Sequence, residues 1–520
     1  MLEHVSPSSG LLSALAVFLL VSLLTRVLNR ASSRFGLRAT NPSHLKVSIS
    51  EVLRNRLPGR IFHFHLECAK SILPRGQSSW EVHIPFTSTM HLTVSPENVK
   101  HVLVDRFSNY PKGPSWRKAF RDLLGDGIFN ADGMSWKKQR KVASYEFSAK
   151  TLKTFMFSTF VTHVTKSLDV LRSANLAEPF DVQELMARYT LESIGIIGFG
   201  VSLGAFSSSG ASISSSFGDA FNSATGRTAD RFIDPTWPIK RALGVGTEKE
   251  LARSVKIVRD FATKVIEERR EAVASGDADL KDLPDLLSRF MAKEKGSEEG
   301  GEFEFTNEEL YYIIINFVLA GRDTTANSLT WTLWELAKGS NAGCVDRIRE
   351  EAAALRKELG LGAGEITHDL VARSTYLKAV IQESLRLHPP VPVDIKECLA
   401  DDVLPDGTEV RAGDRVMFLS WAMARMKIQW GADADDFKPS RFITPDGAFK
   451  PPEATKLPIF LAGPRLCLGK DMAMISSTAM LTLLLEQFDV SGGEAVEYKY
   501  EIGLTIWAAE GMPLRLKARK

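Results

Sequence analysis

Phe460-Leu461-Ala462-Gly463-Pro464-Arg465-Leu466-Cys467-Leu468-Gly469 sets one cysteine in a turn bounded by two glycines, close to the C-terminal end of a 520-residue chain. An arginine stands two residues before the cysteine, and a long apolar helical pattern follows it. A chain that presents a single thiolate to a metal can be built this way. Glycines accept backbone angles that other residues resist and let a flat ligand approach closely. Backbone N–H groups at the start of the following helix would stabilise the thiolate and temper its electron donation. Arg465 is placed to pair with a carboxylate on the rim of such a ligand. The plainer reading of a lone cysteine is a buried structural residue, and the rest of the chain has to decide between the two.

The composition is ordinary globular, with 44% hydrophobic residues, 25% charged residues and 29 Phe, which is ample for a large core. A net charge of +2 points to no nucleic acid. Cys68, Cys344, Cys398 and Cys467 are too sparse for a disulfide framework and form no Cys-x-x-Cys pair, so a reducing compartment fits best. The N-terminus differs from the rest. Gly10 to Leu28 is apolar over about the length of a bilayer span, broken only by Arg26. Arg30, Arg34, Arg38 and Lys46 follow, with no acidic residue between Glu3 and Glu51, so the positive-inside rule keeps the bulk of the protein cytosolic. A cleaved signal peptide would carry its basic charge before the apolar run, where this chain has only His4. The division expected is an anchor over 1–30, a linker over 31–45 and a catalytic domain over 46–520.

Taken in order, Trp80 to Val94 alternates loosely and predicts a hairpin of two short strands, with Ser95 capping a helix after it. Trp136 and Arg140 are four apart and would share a helix face. Thr151 to Val201 reads as helical, Ser207 to Ser216 as a flexible loop, and Ser275 to Glu304 as a second polar surface loop. Glu308 to Lys338 is a long apolar helix carrying Ala320-Gly321-Arg322-Asp323-Thr324-Thr325. An acid and two hydroxyls in such a run are costly to bury without partners. Ala320 and Gly321 leave room beside the helix, and a threonine bonded back to a carbonyl bends it. An oxygen-sized groove with an acid and an alcohol beside it would result. Glu383-Ser-Leu-Arg386 is weak alone but is followed by Leu387-His388-Pro389-Pro390 and later by Phe437-Lys438-Pro439-Ser440-Arg441-Phe442.

Phe460, Gly463, Arg465, Cys467 and Gly469 in this spacing, with the Ala320–Thr325 segment and the Glu-x-x-Arg run, resemble the cytochrome P-450 haem-thiolate monooxygenases. The resemblance implies a mainly α fold with small β-sheets behind an N-terminal transmembrane helix. It implies a non-covalent haem b with Cys467 as its iron ligand, Trp136, Arg140 and Lys396 at the haem propionates, and Asp323 passing protons to Thr324. Glu383, Arg386 and Arg441 would form a buried triad bracing the cysteine loop. Phe120, Leu123, Leu124, Ile128, Phe129, Val391, Pro392, Val393, Leu504, Thr505 and Ile506 would line the substrate channel. Ala320 stands where a related branch carries the glutamate that esterifies haem.

Electrons for O2 would come from NADPH through a separate flavoprotein reductase, since no flavin or nicotinamide domain is evident. Lys137, Lys138, Lys141 and Lys470 beside Arg140 could form its docking face, and the resemblance gives an endoplasmic reticulum address. The runs Asn109–Pro114, Leu124–Asn130, Asn316–Thr325 and Pro390–Gly407 look like the plant and microbial fatty-acid omega-hydroxylase clan, which implies a fatty acyl substrate and contact with membrane lipid. Sterol, terpenoid or alkane substrates are the alternatives. A haem-thiolate isomerase or dehydratase typically lacks an intact acid-alcohol pair, and a non-catalytic haem-binding membrane protein would need no oxygen groove.

Overall fold

A computed structural model describes residues 45–48, 51–52, 60–83, 88–147, 151–206, 213–232, 234, 236–280, 282–292, 305–495 and 499–519. The anchor and linker expected over 1–45 therefore lie, all but residue 45, outside the described residues. Among the described residues no helix is long and apolar enough to cross a membrane.

The scaffold is helical. Its principal helices are α1 (Arg60–Ile72), α2 (Gly113–Leu124), α3 (Gly133–Glu146), α4 (Phe157–Ser173), α5 (Val182–Phe199), α6 (Ile213–Asp230), α7 (Gly246–Ser275), α8 (Asn307–Leu336), α9 (Thr375–Leu387) and α10 (Lys470–Gln487). The central one is α8, buried nearly all round, as its unbroken apolar sequence requires. It starts at a capping box in which the Thr306 hydroxyl accepts from Glu309 N–H and the Glu309 carboxylate accepts from Thr306 N–H. It packs along α5 and against α7, α9 and α10. At its crossing with α5, a Cβ on Gly321 would stand 2.7 Å from Ile194 Cδ1, so glycine is what lets the two helices approach.

Strands Lys46–Ser48 (β1), Ser79–His83 (β2), Met90–Thr93 (β3), Asp394–Glu397 (β4) and Arg415–Phe418 (β5) form one sheet in the order β1-β2-β3-β5-β4. The β2–β3 pair is the expected hairpin, with Ser79 opposite Thr93 and Val82 opposite Met90, and the Ser95 hydroxyl accepts from Asn98 N–H as the cap. The loose alternation of its sequence follows from burial of nearly every strand residue. The join between β3 and β5 is parallel and spans most of the chain. A single apolar cluster runs from Val47 to Leu516.

Three sequence readings need correction. The helical stretch from Thr151 is broken between α4 and α5, where Phe180–Asp181 pairs with Pro513–Ala518 and Asp181 caps α5 by accepting from Gln183 and Glu184 N–H. Of the serine-rich loop, residues 207–212 lie outside the described residues, and Ile213 to Ser216 already belong to α6. Within the stretch read as polar surface loop, Leu286–Ala292 is a helix that buries Leu286, Leu287, Phe290 and Met291. Its apolar residues are two short pairs hidden among charges, too few to reveal a period.

Candidate functional site

The cysteine loop is tightly turned. Leu461 has φ 59°, rare for a residue with a branched side chain, and Gly463 has φ 63°. A Cβ at Gly463 would run into the Leu103 carbonyl oxygen, so this glycine is required twice over. Cys467 N–H donates to Phe460 O at 2.8 Å and Leu466 N–H to Gly463 O at 3.0 Å, which leaves the side chain as the group the loop presents. Cys467 is exposed, yet protein surrounds it so densely that burial raises its pKa; the Gly469 N–H, Arg140 and Lys470 pull it back toward the thiolate. A deep, accessible thiol among donors and cations is a ligand geometry rather than a packing one.

Beside the loop lies a cluster of cations. Arg465 donates through Nη2 to Asp132 Oδ1 at 2.7 Å and to Ala131 O at 2.9 Å, its guanidinium lies 4.6 Å from the Trp136 ring, and its buried Nε has no partner among the described residues. Trp136 is buried against Phe107 and shares its α3 face with Arg140, which has no carboxylate partner among the described residues. Burial lowers the Arg140 pKa, and Cys467 opposes that shift.

Asp394 and Lys396 are two apart on β4 and point to one side. Lys396 Nζ reaches Asp394 Oδ2 at 2.6 Å, and Lys112 Nζ reaches Oδ1 at 3.0 Å. Burial would raise the Asp394 pKa, but the two ammonium groups outweigh it and hold the carboxyl well below the usual range. One carboxylate cannot fully compensate two lysines, and burial brings Lys396 down to about 7. Asp132 also accepts the backbone N–H of Lys112 at 3.0 Å and of Gly113 at 3.2 Å. Four cations, Lys112, Arg140, Lys396 and Arg465, thus face two carboxylates, Asp132 and Asp394. With Lys396 only partly charged near neutrality, the excess lies between one and two positive charges, and together with the Arg465 Nε, which has no partner among the described residues, it fits an anionic ligand.

On α8, Ala320, Gly321 and Thr324 are half-buried, while Leu319, Arg322, Asp323 and Thr325 beside them are buried. Thr324 Oγ1 donates to Ala320 O at 2.6 Å, the back-bond expected of the motif. On the Gly321 side Ile194 stands closest, and a small cavity lies between Gly321, Thr325, Ile194, Met472 and Ser476. Asp323 is buried and pairs with Arg322 Nη1 at 3.0 Å. Burial raises its pKa and Arg322 opposes the rise. No direct bond joins Asp323 to Thr324 in the structure, so a proton passing between them would need an intervening water.

Glu383 and Arg386 are wholly buried. Arg386 Nε and Nη2 reach the two Glu383 oxygens at 2.7 and 2.8 Å, and Arg441 Nε reaches Oε1 at 3.2 Å. Arg386 also donates to the carbonyls of Ala424, Ala434 and Asp436, so the triad ties α9 to the segment before the cysteine loop rather than to the loop itself.

The channel residues separate into groups. Phe120, Leu123, Leu124, Ile128, Thr505 and Ile506 are buried, Val393 and Leu504 half-buried, and Phe129 and Val391 exposed. Ile506 N–H donates to Pro390 O at 3.0 Å, which brings those two segments together. Phe120 stacks on Trp116 with centroids 4.3 Å apart and meets Phe232. Of the expected docking lysines, Lys137 and Lys141 are exposed, Lys470 is half-buried, and Lys138 lies over the Phe305 ring at 4.3 Å.

Lys112, Asp132, Asp394 and Asn316 escaped the sequence reading as individual residues. Lys112 and Asp394 are 282 positions apart, and neither carries a local signal beyond lying in a run that resembles the hydroxylase clan.

Comparison with known proteins agrees with this geometry. The family model described as Cytochrome P450 matches residues 77–506. Cytochrome P450 CYP94D108 of Paris polyphylla is 37% identical over 436 residues, 82% of this chain and 84% of its own. Cytochrome P450 704B1 of Arabidopsis thaliana is 37% identical over 475 residues, 84% of this chain and 88% of its own. Cytochrome P450 86B1 of the same plant is 39% identical over 448 residues, 83% and 78%.

Proposed function

Because the chain belongs to the cytochrome P450 family, we propose that Cys467 would supply the thiolate that holds its haem and that the protein hydroxylates long-chain fatty acids at or near the methyl end. Membership brings a thiolate-ligated haem b, O2 as co-substrate and electrons from a reductase. When bound, that group supplies the oxygen-activating chemistry, with the thiolate favouring O–O cleavage. This chain's residues do the rest. Lys112, Arg140, Lys396 and Arg465 hold the two propionates. Ala320 keeps the haem non-covalent. Thr324 holds a water, and buried Asp323, whose pKa burial raises against the pull of Arg322, delivers protons to it.

The observation that carries the acyl reading is convergence. The four runs resembling the omega-hydroxylase clan lie apart in sequence but meet in two pairs. Asn109–Pro114 supplies Lys112, and Pro390–Gly407 supplies Asp394 and Lys396. Leu124–Asn130 is the loop bonded to Asn316, which opens the run containing Thr324. A terminal C–H bond is stronger than its internal neighbours, so the pocket must let only the last carbons reach the reacting centre. An NADPH-dependent flavoprotein docking on Lys137, Lys141 and Lys470 completes the reading, with a single-pass anchor over 1–30 in the endoplasmic reticulum membrane, the linker 31–45 and a cytosolic domain over 46–520.

The test is the reduced carbon monoxide difference spectrum of the protein and of Cys467→Ser, followed by titration and turnover with saturated fatty acids of increasing length. A band at about 450 nm, lost in the variant, is expected of the thiolate. A low- to high-spin shift and terminal hydroxy acids as products are expected of the substrate. A native band with no fatty-acid response would direct the search to terpenoids, sterols or alkanes.

A further inference from the structure

Asn316 lies one turn before Ala320 and two before Thr324, so the three occupy one face of α8. It is fully buried, and its amide ties the α2 end and the loop after it to α8 while also bonding back along its own helix. Oδ1 accepts from Phe129 N–H at 3.0 Å, and Nδ2 donates to Leu124 O at 3.1 Å and to Tyr312 O at 2.6 Å. The loop is shaped to receive it. A Cβ on Gly127 would strike the Asn316 amide, and a Cβ on Gly125, which has φ 50°, would strike the Tyr312 ring. Asn130 closes the loop on itself, donating to Gly125 O at 2.6 Å and to Arg117 O at 3.2 Å. The result is a loop hung from α8 at Asn316, one turn before the half-buried strip of Ala320 and Thr324 begins.

We infer that Asn316 is a positioning residue that sets how close this loop stands to the strip, and through it which carbon of the bound chain is oxidised. The inference rests on the fatty-acid reading for its substrate, but not for its geometry. Two glycines and one asparagine hold Ile128 and Phe129 at a fixed distance, and a displacement of about 1 Å is enough to alter reactivity strongly. A leucine at 316 fills similar volume but strands the Phe129 N–H, while the Leu124 carbonyl keeps only the Gly127 N–H at 2.9 Å. A buried aspartic acid at 316 is protonated and keeps one acceptor and one donor for the loop.

The experiment compares wild type, Asn316→Leu, Asn316→Asp and Gly127→Ala as full-length, haem-loaded enzymes. Two quantities are read: the distribution of hydroxylated positions on palmitate, and the ratio of affinities for imidazole and 4-phenylimidazole from spectral titration. The second reports the room above the site without any substrate. Asn316→Leu should shift both by at least about threefold while keeping the 450 nm band, with Asn316→Asp falling between it and wild type. Gly127→Ala perturbs the same contact from the loop side and should shift both in the same sense, so the test survives failure of Asn316→Leu to fold. Unchanged ratios and distributions in both Asn316→Leu and Gly127→Ala would overturn the inference. If wild type oxidises no fatty acid, the substrate reading falls, and the imidazole ratio alone decides the role of Asn316.

Discussion

Replacing Glu383 by alanine removes the acceptor of four bonds at once: two from Arg386, one from Arg441 and one from the Lys438 N–H at 2.8 Å. Glu383 and Arg386 are wholly excluded from solvent, so neither guanidinium nor amide is repaid by water at the site. Breaking a buried pair by removing one partner costs about 3–5 kcal/mol. Arg386 keeps its three carbonyl acceptors, which places the expected cost at the lower end. With an unfolding entropy of about 2 cal/mol/K per residue over a domain of this size, the loss corresponds to a Tm shift of roughly 3–4 °C. The assay is thermal unfolding followed by far-UV circular dichroism and by the haem band, with haem content measured beforehand. The double change Glu383→Met with Arg386→Met removes both charges and should be less destabilising than the sum of the single changes. Strict additivity, or a Glu383→Ala variant within about 0.5 kcal/mol of wild type, would refute the buried-triad argument.

Gly463→Ala should lose the 450 nm band more completely than it loses helix content, because its Cβ meets the Leu103 carbonyl, which is backbone and cannot rotate away; a normal carbon monoxide spectrum would contradict this. Lys112→Met should release haem about tenfold faster to an apo-globin acceptor, by loss of one charge-assisted contact and by leaving Asp394 to Lys396 alone. Stability should fall as pH drops from 6.5 toward 4. Burial holds His65 and His163 at about 4, so below 6.5 the unfolded chain binds protons the native state refuses, worth about 3 kcal/mol per histidine at full extent. Denaturant midpoints across that range check it, and His163→Gln should flatten part of the slope.

The parts of the site legible in the sequence are those whose chemistry is local. The cysteine turn, the Ala320–Thr325 segment and Glu383–Arg386 each place their functional atoms within one or two helical turns, so spacing and residue type suffice. The parts that escaped are set by tertiary meeting. Lys112 becomes a site residue only because β4 brings Asp394 beside it. Gly321 read as space for oxygen, yet its missing side chain accommodates Ile194 of a neighbouring helix, a fact no pattern in α8 contains. Asn316 sat in plain view at the head of the motif, but an asparagine in an apolar helix says only that it needs partners, not which loop provides them. The same distinction holds for the fold: α8 announced itself by its length, whereas Leu286–Ala292 is too short for its period to rise above its polar flanks.

The parallel join of β3 to β5 has a consequence for synthesis. On the ribosome, β1, β2 and β3 emerge early, but the strand that covers the open edge of β3 comes only at Arg415–Phe418. At cellular elongation rates that edge waits some tens of seconds for its partner. Cys467 emerges later still, so the cysteine loop is absent for as long as the growing chain carries this unpaired edge. Holding that edge apart from other chains is therefore a task for chaperones before it is one for the fold, and haem capture waits until both the covering strand and the cysteine loop have been made.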